Sequence, residues 1–411
     1  MRPVRTVVGD GVATRRKAGA TDLRFLAAGI IVLAVAMGVG RFAYTPLLPI
    51  MRREAGLSPT VGGILASVNL AGYLAGALVC NMPTFRRFRV PLIRYSIALS
   101  IASTGLMAVQ SEAIWFVARA LSGVASGFVF VLASSVVLDR AALGAKRHWP
   151  AIFYSGVGFG IALCGLLVPP FVALAGWRGG WLGLCIVSLL ACAITVPWLQ
   201  DVDVPETKSQ GASAGAKRAL FWWLFVAYGC EGFGYIVPAT FMVAIVASTP
   251  GLASYAVLTW VIVGVVAIPS TFLWNQLGVS LGRGPALVLA VAVQALGVGA
   301  SILLAGAAGA VVGAITLGGT FIGIAALANG LGRELFADYS HIAIGRLTVI
   351  YGVGQLIGPV AVTALATRAD DYKPALVMAG GVLALSVIVL TTGLVRAASR
   401  SLGRRTESAR L

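Results

Sequence analysis

Runs of about twenty apolar residues, each closed by a short polar or Gly/Pro-rich interval, recur about twelve times along this chain. At about 1.5 Å rise per residue, such a run crosses a hydrocarbon core roughly 30 Å thick as one helix, so each predicts a membrane span. The first six cover approximately 25–49, 60–82, 90–110, 113–138, 149–174 and 179–199. The second six cover about 219–247, 254–277, 285–305, 309–331, 344–367 and 374–396. Strand-like alternation is absent, which argues against a membrane β-barrel. The one long polar interval, 200–218, reads as a flexible linker. The expected organisation is a tail over 1–24, a six-helix bundle over 25–199, the linker, a second bundle over 219–396 and a tail over 397–411.

The two sets carry matching landmarks. A shift of 191 residues aligns Gly38, Phe42 and Tyr44 with Gly229, Phe233 and Tyr235. A shift of 196 aligns Gly123 and Gly127 with Gly319 and Gly323, and the GVG at 156–158 with that at 352–354. Their order and nearly constant offset predict a duplicated six-helix unit. The basic tail, the apolar stretch from Phe25 and the AVA at 34–36 also have the outline of a signal peptide. The run continues past Ala36 and matches the opening of the second half, so it is read as a retained first span.

Composition sharpens this picture. Hydrophobic residues make up 59% of the 411 and charged residues 11%, against about 25% charged in soluble domains. Mean hydropathy is +0.93. That leaves too little polar surface for a water-facing globule, so an all-α integral membrane protein is expected. The net charge of +17 sits in loops and tails without interleaved aromatics, so no nucleic-acid partner is expected. Arg2, Arg5, Arg15, Arg16, Lys17, Arg24, Arg86, Arg87, Arg89, Arg94, Arg140, Lys146, Arg147, Lys208, Lys217, Arg218 and the arginines from Arg396 onward fall on one side. Only Arg52, Arg53, Arg178, Arg368 and Lys373 fall on the other. The positive-inside rule then predicts cytoplasmic termini and an even number of spans. The five cysteines lie in apolar runs without CxxC, and His148 and His341 fall in loops. Neither a metal cluster nor a cofactor is expected.

GVGRFAYTPLLPIM in the first span, RALSGVASG in the fourth, GWRGGW after the fifth and YGVGQLIGP in the eleventh resemble the major facilitator superfamily, and within it the YbfB/YjiJ-like bacterial branch. The resemblance spans essentially 25–396. It implies twelve transmembrane helices in two pseudo-symmetric six-helix bundles that rock about a central cavity. Departures accompany it. In the loop after the second span, Arg86 and Arg89 match the superfamily's basic positions, whereas Phe85 and Phe88 replace its acid and glycine. The second copy keeps Gly282 and Arg283 but has Val279 in place of the acid. A charge latch between bundles is therefore not expected there. Gly165, Pro169 and Pro170 do not form the antiporter pattern of the fifth span.

Candidate chemistry lies in the few ionisable groups inside spans. Placing a charge at the bilayer centre costs roughly 2.5–3.5 kcal/mol even on an insertion scale, so Arg41, Arg119 and Glu231 should face the interior. Arg41 comes sixteen residues after Phe25, about 24 Å from the inner boundary at helical rise, and Arg119 lies at comparable depth. Both are expected to border a water-reachable pocket with Glu231. Snorkelling of Arg41, or a purely structural Arg41–Glu231 pair, is the alternative. Glu231 is the proton-carrier candidate, because burial and a nearby guanidinium push a carboxylate's proton affinity in opposite directions, whereas Arg stays protonated. Asn69 and Tyr73 share a helix face, as do Tyr351 and Gln355. Tyr44 and Tyr235 lie near Arg41 and Glu231, and Trp260 adds an aromatic surface. The GxxxG pairs 72/76, 123/127, 156/160, 319/323 and 354/358 predict close helix crossings. Pro46, Pro49, Pro238, Pro269 and Pro359 predict kinks.

These features favour a secondary active transporter working by alternating access: a monomer in the bilayer carrying a small solute, with protons as coupling ion. Two arginines lean toward uptake of an organic anion. Proton-driven efflux of a metabolite or drug is the alternative, and a transporter-like sensor a more distant one. No GxxxxGK[ST] stretch supports ATP-driven pumping, and a lone intramembrane carboxylate does not make an enzyme.

Overall fold

The computed structural model describes residues 9–80, 82, 85, 88–143, 146, 148–201, 215–304, 306–336, 340–365 and 372–408. Every regular element among them is helical: α1 (Gly9–Leu33), α2 (Tyr44–Glu54), α3 (Pro59–Cys80), α4 (Arg89–Leu106), α5 (Glu112–Leu143), α6 (Trp149–Thr195), α7 (Gly215–Ala247), α8 (Ala256–Leu281), α9 (Arg283–Leu303), α10 (Gly306–Leu335), α11 (Ser340–Leu365) and α12 (Lys373–Ser408). Among the described residues, ten helical stretches are long and apolar enough to cross a membrane. One of them, α6, is two helices in series, because Ala175 (φ −149°, ψ 31°) and Gly176 (φ 61°, ψ −157°) leave helical geometry. Gly176 occupies a region open only to glycine, and Glu54 Oε2 accepts from the Trp177 N–H at 2.8 Å to cap the second piece. α4 is less apolar, with Arg89, Arg94 and several hydroxyls, and packs along α5. The twelve predicted crossings thus count α6 twice and add α4 on its packing.

The exterior is apolar and the interior holds the polar groups, as lipid requires. Leu174, Leu296 and Leu303 are exposed, whereas Arg41, Asn69, Arg119, Glu231, Gln294 and Gln355 are buried. In the first half α3 packs on α5 and α1 on α6; in the second, α7 packs on α11 and α12, and α10 on α8 and α9. The halves meet where α6 crosses α8, α3 crosses α11 and α2 meets α7.

Glycines set the closest crossings. A Cβ on Gly123 would lie 2.1 Å from the Asn69 carbonyl oxygen, and one on Gly38 2.4 Å from the Gly160 Cα. The corresponding approach in the second half is Gly354 against the Gly229 carbonyl, at 2.2 Å. The first span of each half is thus crossed tightly by the fifth, consistent with the duplicated landmarks.

One feature departs from the expected pattern. The first span breaks upstream of its prolines: a π-helical turn covers Ala34–Val39, and Gly40 N–H and Phe42 N–H donate to Val35 O and Met37 O. Pro46 has no N–H to offer the Phe42 carbonyl, and the Thr45 N–H takes that acceptor at 3.2 Å instead. Such turns often mark functional sites. At the Asp22 end, each ion pair among the described residues stays within one half. Asp22 pairs with Arg140 and Lys146, Arg89 with Asp139 and Asp201, and Arg283 with Glu334. Arg86, like most of the 200–218 linker, lies outside the described residues.

Candidate functional site: a polar seam at the break in the first span

The π turn and the short hydrogen-bonded turn after it, over 40–43, turn Arg41 toward the second half. Arg41 Nη2 donates to Tyr235 Oη on α7 at 3.1 Å and to Gln355 Oε1 on α11 at 2.9 Å. Gln355 Nε2 closes the triangle by donating to Tyr235 Oη at 2.8 Å. The guanidinium also lies 4.6 Å from the Tyr73 ring centroid and 5.1 Å from that of Phe42, contacts worth about 2 kcal/mol each when desolvated. Snorkelling is excluded by this geometry: the charge is held at the seam by groups from both halves.

Arg119 occupies the other side of the break. Its Nη1 donates to the Gly40 carbonyl at 3.2 Å and its Nε to the Leu65 carbonyl at 3.4 Å. Ser122 Oγ adds a bond to Gly40 O at 2.6 Å, so the irregular backbone gains side-chain partners. Arg119 stands 4.5 Å over the Tyr44 ring, Tyr44 Oη donates to Gly62 O, and Asn69 Nδ2 donates to Arg119 O at 3.0 Å. Arg41, Tyr44, Asn69 and Arg119 line one cavity of about 20 Å³ with Thr45, Thr240 and neighbouring apolar residues. That is room for one water-sized particle.

An aromatic column continues from this cluster into the second half. Tyr228 stacks on Tyr351 (centroids 4.4 Å), Tyr351 on Tyr235 (5.6 Å) and Tyr235 on Phe321 (6.0 Å), with rings within 14° of parallel. Phe42 joins Phe321 and Trp260 at its edge. Trp260 is buried without a partner for Nε1, and its ring lies 6.2 Å from that of Phe42.

Glu231 is placed differently from expectation. It is 1% exposed but forms no ion pair with Arg41. Its Oε1 accepts from Gln294 Nε2 on α9 at 3.3 Å, Gln294 Oε1 accepts from Thr320 Oγ1 on α10 at 2.8 Å, and Glu231 Oε2 has no partner. The carboxyl therefore faces the interior of the second half, one turn along α7 from Tyr235, and does not line the cavity of Arg41. Four residues advance a helix by about 6 Å while turning it only about 40° past a full turn, so Glu231 is set off from the Arg41–Tyr235 contact chiefly by its depth along α7.

The sequence candidates thus sort into a seam cluster (Arg41, Tyr73, Tyr235, Gln355), a set around the break (Tyr44, Asn69, Arg119), two flanking aromatics (Trp260, Tyr351) and the separate Glu231. Gln294 and Thr320 were missed, although a lone amide in the apolar run VAVQALG carries the same signal as Glu231. Polar contacts between halves cluster from Arg41 toward Glu54. Thr45 Oγ1 donates to Ala239 O, Ser67 Oγ to Leu356 O and Arg52 Nη1 to Tyr372 Oη. The halves are therefore tied by hydrogen bonds toward the Glu54 end.

A family model described as "Uncharacterised MFS-type transporter YbfB" matches residues 33–391. A protein of Haemophilus influenzae described as "Putative metabolite transport protein" is 24% identical over 179 residues, which cover 43% of this chain and 42% of that protein.

Proposed function

Because the chain belongs to the major facilitator superfamily, and is a membrane transport protein rather than an enzyme, we propose that it moves a small organic solute by alternating access, driven by protons. The single observation that carries this reading is the buried Arg41–Tyr235–Gln355 triangle, which joins the two halves with desolvated charge at the break in a span. A static bundle gains nothing from such a seam that apolar packing would not supply. A mobile one gains a set of bonds that exchange when the halves rock.

In this reading the halves are bundles over 25–199 and 219–396, the protein works as a monomer in a bacterial inner membrane, and both termini are cytoplasmic. The basic residues support that orientation. The Glu54 end is then periplasmic, and the arrangement described is closed to the outside. Arg41 and Arg119 favour a solute with a carboxylate, since a guanidinium binds such a group through paired N–H donors. Its planar or apolar portion would lie along the tyrosine column. Glu231 carries the proton: a buried carboxyl with one amide donor and an unpartnered oxygen is far less costly neutral than charged, so ionisation would require the surroundings to rearrange. Proton and solute then travel together, as symport.

The test is uptake into proteoliposomes of the H. influenzae relative's substrate class, small metabolites, under an imposed pH gradient. Wild-type protein should accumulate the solute, and Glu231→Gln should lose gradient-driven accumulation while retaining solute counterflow. Equal accumulation by both would remove Glu231 from coupling; no flux from any carboxylated metabolite would remove the anion reading.

A further inference from the structure

Two buried guanidinium groups at one break create a charge problem that the described protein groups leave open. Arg41 and Arg119 are 5% and 3% exposed, and both line the same small cavity. Neither forms an ion pair among the described residues, and Glu231, the acid deepest in a span, is committed to Gln294. Protein acceptors use only part of the five N–H donors on each guanidinium. Arg41 lines the cavity, and its buried Nε has no hydrogen-bond partner. The partners of Arg119 are neutral carbonyls, which satisfy donors without cancelling charge. Two like charges in a low-dielectric seam repel each other and lose hydration together.

Size limits what could compensate them. About 20 Å³ admits one particle near the size of a water, a monoatomic ion or the oxygens of a single carboxylate. It does not admit the body of an organic solute. We propose that the cavity between Arg41 and Arg119 binds one small monovalent anion, a halide or a carboxylate as small as formate. The anion neutralises the arginine pair while the Glu54 end is closed. Asn69 Oδ1, also unpartnered, is an acceptor on the cavity wall, so water is the competing occupant. This deepens the functional reading at the same arginines, but stands on binding rather than flux.

The experiment uses purified full-length protein in detergent at constant ionic strength, with a bulky organic sulfonate as reference anion. Chloride, bromide or formate replaces the reference while apparent melting temperature is followed, and equilibrium dialysis of radiolabelled chloride reads binding directly. A saturable rise with halides and formate is expected, because a ligand of the folded state alone raises its apparent stability. Affinity should fall on the order of thirty-fold in Arg119→Gln and less in Arg119→Lys, which keeps the charge. Because Arg119 also holds backbone carbonyls, the cavity-lining Thr240→Val and the wild-type dialysis serve as independent readouts; Thr240→Val should alter halide affinity. Formate without halides would assign the site to a carboxylate group and support it. No binding of either anion to wild type, or equal affinity in wild type, Arg119→Gln and Thr240→Val, would overturn it. Intact proton-driven flux without anion binding would overturn this inference alone; intact anion binding without flux would overturn only the transport reading.

Discussion

Replacing Tyr235 by Phe removes one hydroxyl and tests whether the seam triangle holds the halves together. The ring, its stacking on Tyr351 and Phe321 and the volume of the site are retained, so packing is nearly constant. The lost interactions are the acceptor for Arg41 Nη2 at 3.1 Å, which crosses between halves, and that for Gln355 Nε2 at 2.8 Å, which does not. A hydrogen bond to a charged group contributes about 1.5–3 kcal/mol, and Arg41 keeps Gln355 Oε1, so the closed arrangement should lose about 2 kcal/mol relative to the open one. That is roughly thirty-fold in the equilibrium constant. A form open at the Glu54 end that is populated at about 1% would rise to roughly a quarter. Spin labels at Thr60 and Ala253, exposed at that end on opposite halves, would report the shift as a new long-distance component in pulsed electron paramagnetic resonance. A distance distribution identical to wild type, accompanied by a lower melting temperature, would refute the reasoning: the bond would stabilise the fold without biasing its conformation.

Other substitutions probe separate links. Gln294→Leu leaves the Glu231 carboxyl without its amide donor, whereas Thr320 Oγ1 keeps the Thr316 carbonyl, so stability in detergent should fall by about 1–3 kcal/mol for the one orphaned group, read from thermal melts. Gly123→Ala would set a methyl 2.1 Å from the Asn69 carbonyl oxygen; overpacking of about 1–3 kcal/mol should lower the melting temperature and the monodisperse yield. Gly176→Ala forces a side chain into a positive-φ region and toward Glu54 Oε2, with an expected loss of about 1–3 kcal/mol; an unchanged melt would show that the turn relaxes freely.

Span positions were legible because hydrophobic length is a one-dimensional property. The expected boundaries of α3, α9 and α11 differ from the observed ones by only a few residues, and even the division between 149–174 and 179–199 falls on the break at Ala175 and Gly176. The π turn was not legible: it depends on local register shifts, and nothing in AVAMGV distinguishes it from regular helix. The site was legible in its members more than in its connections. Arg41, Tyr235 and Gln355 stand out as polar groups in apolar runs, but their convergence depends on how helices from two halves rotate against each other. Depth along a span follows from counting residues; the azimuth that decides which neighbours a side chain meets does not.

The remaining question is how a proton at Glu231 would be felt at Arg41 without direct contact. Both ends of the connection lie on α7, one turn apart: Glu231 is tied to α9 through Gln294, and Tyr235 to the opposite half through Arg41. Ionising Glu231 would demand donors that Gln294 alone does not provide, so that turn of α7 would have to move or admit water. Tyr235 would move with it, and its parallel contacts with Tyr351 and Phe321 would let the ring slide without loss of packing. A double-mutant cycle of Gln294→Leu and Tyr235→Phe on proton-driven flux measures this linkage. Residues coupled through a shared backbone shift deviate from additivity by about 0.5–3 kcal/mol, whereas independent sites add within roughly 0.3–0.5 kcal/mol. Non-additive effects on flux, with additive effects on melting, would place the coupling in the transport cycle. Additivity in both would mean that the carboxyl and the arginine seam act separately, and α7 could not be the element that joins them.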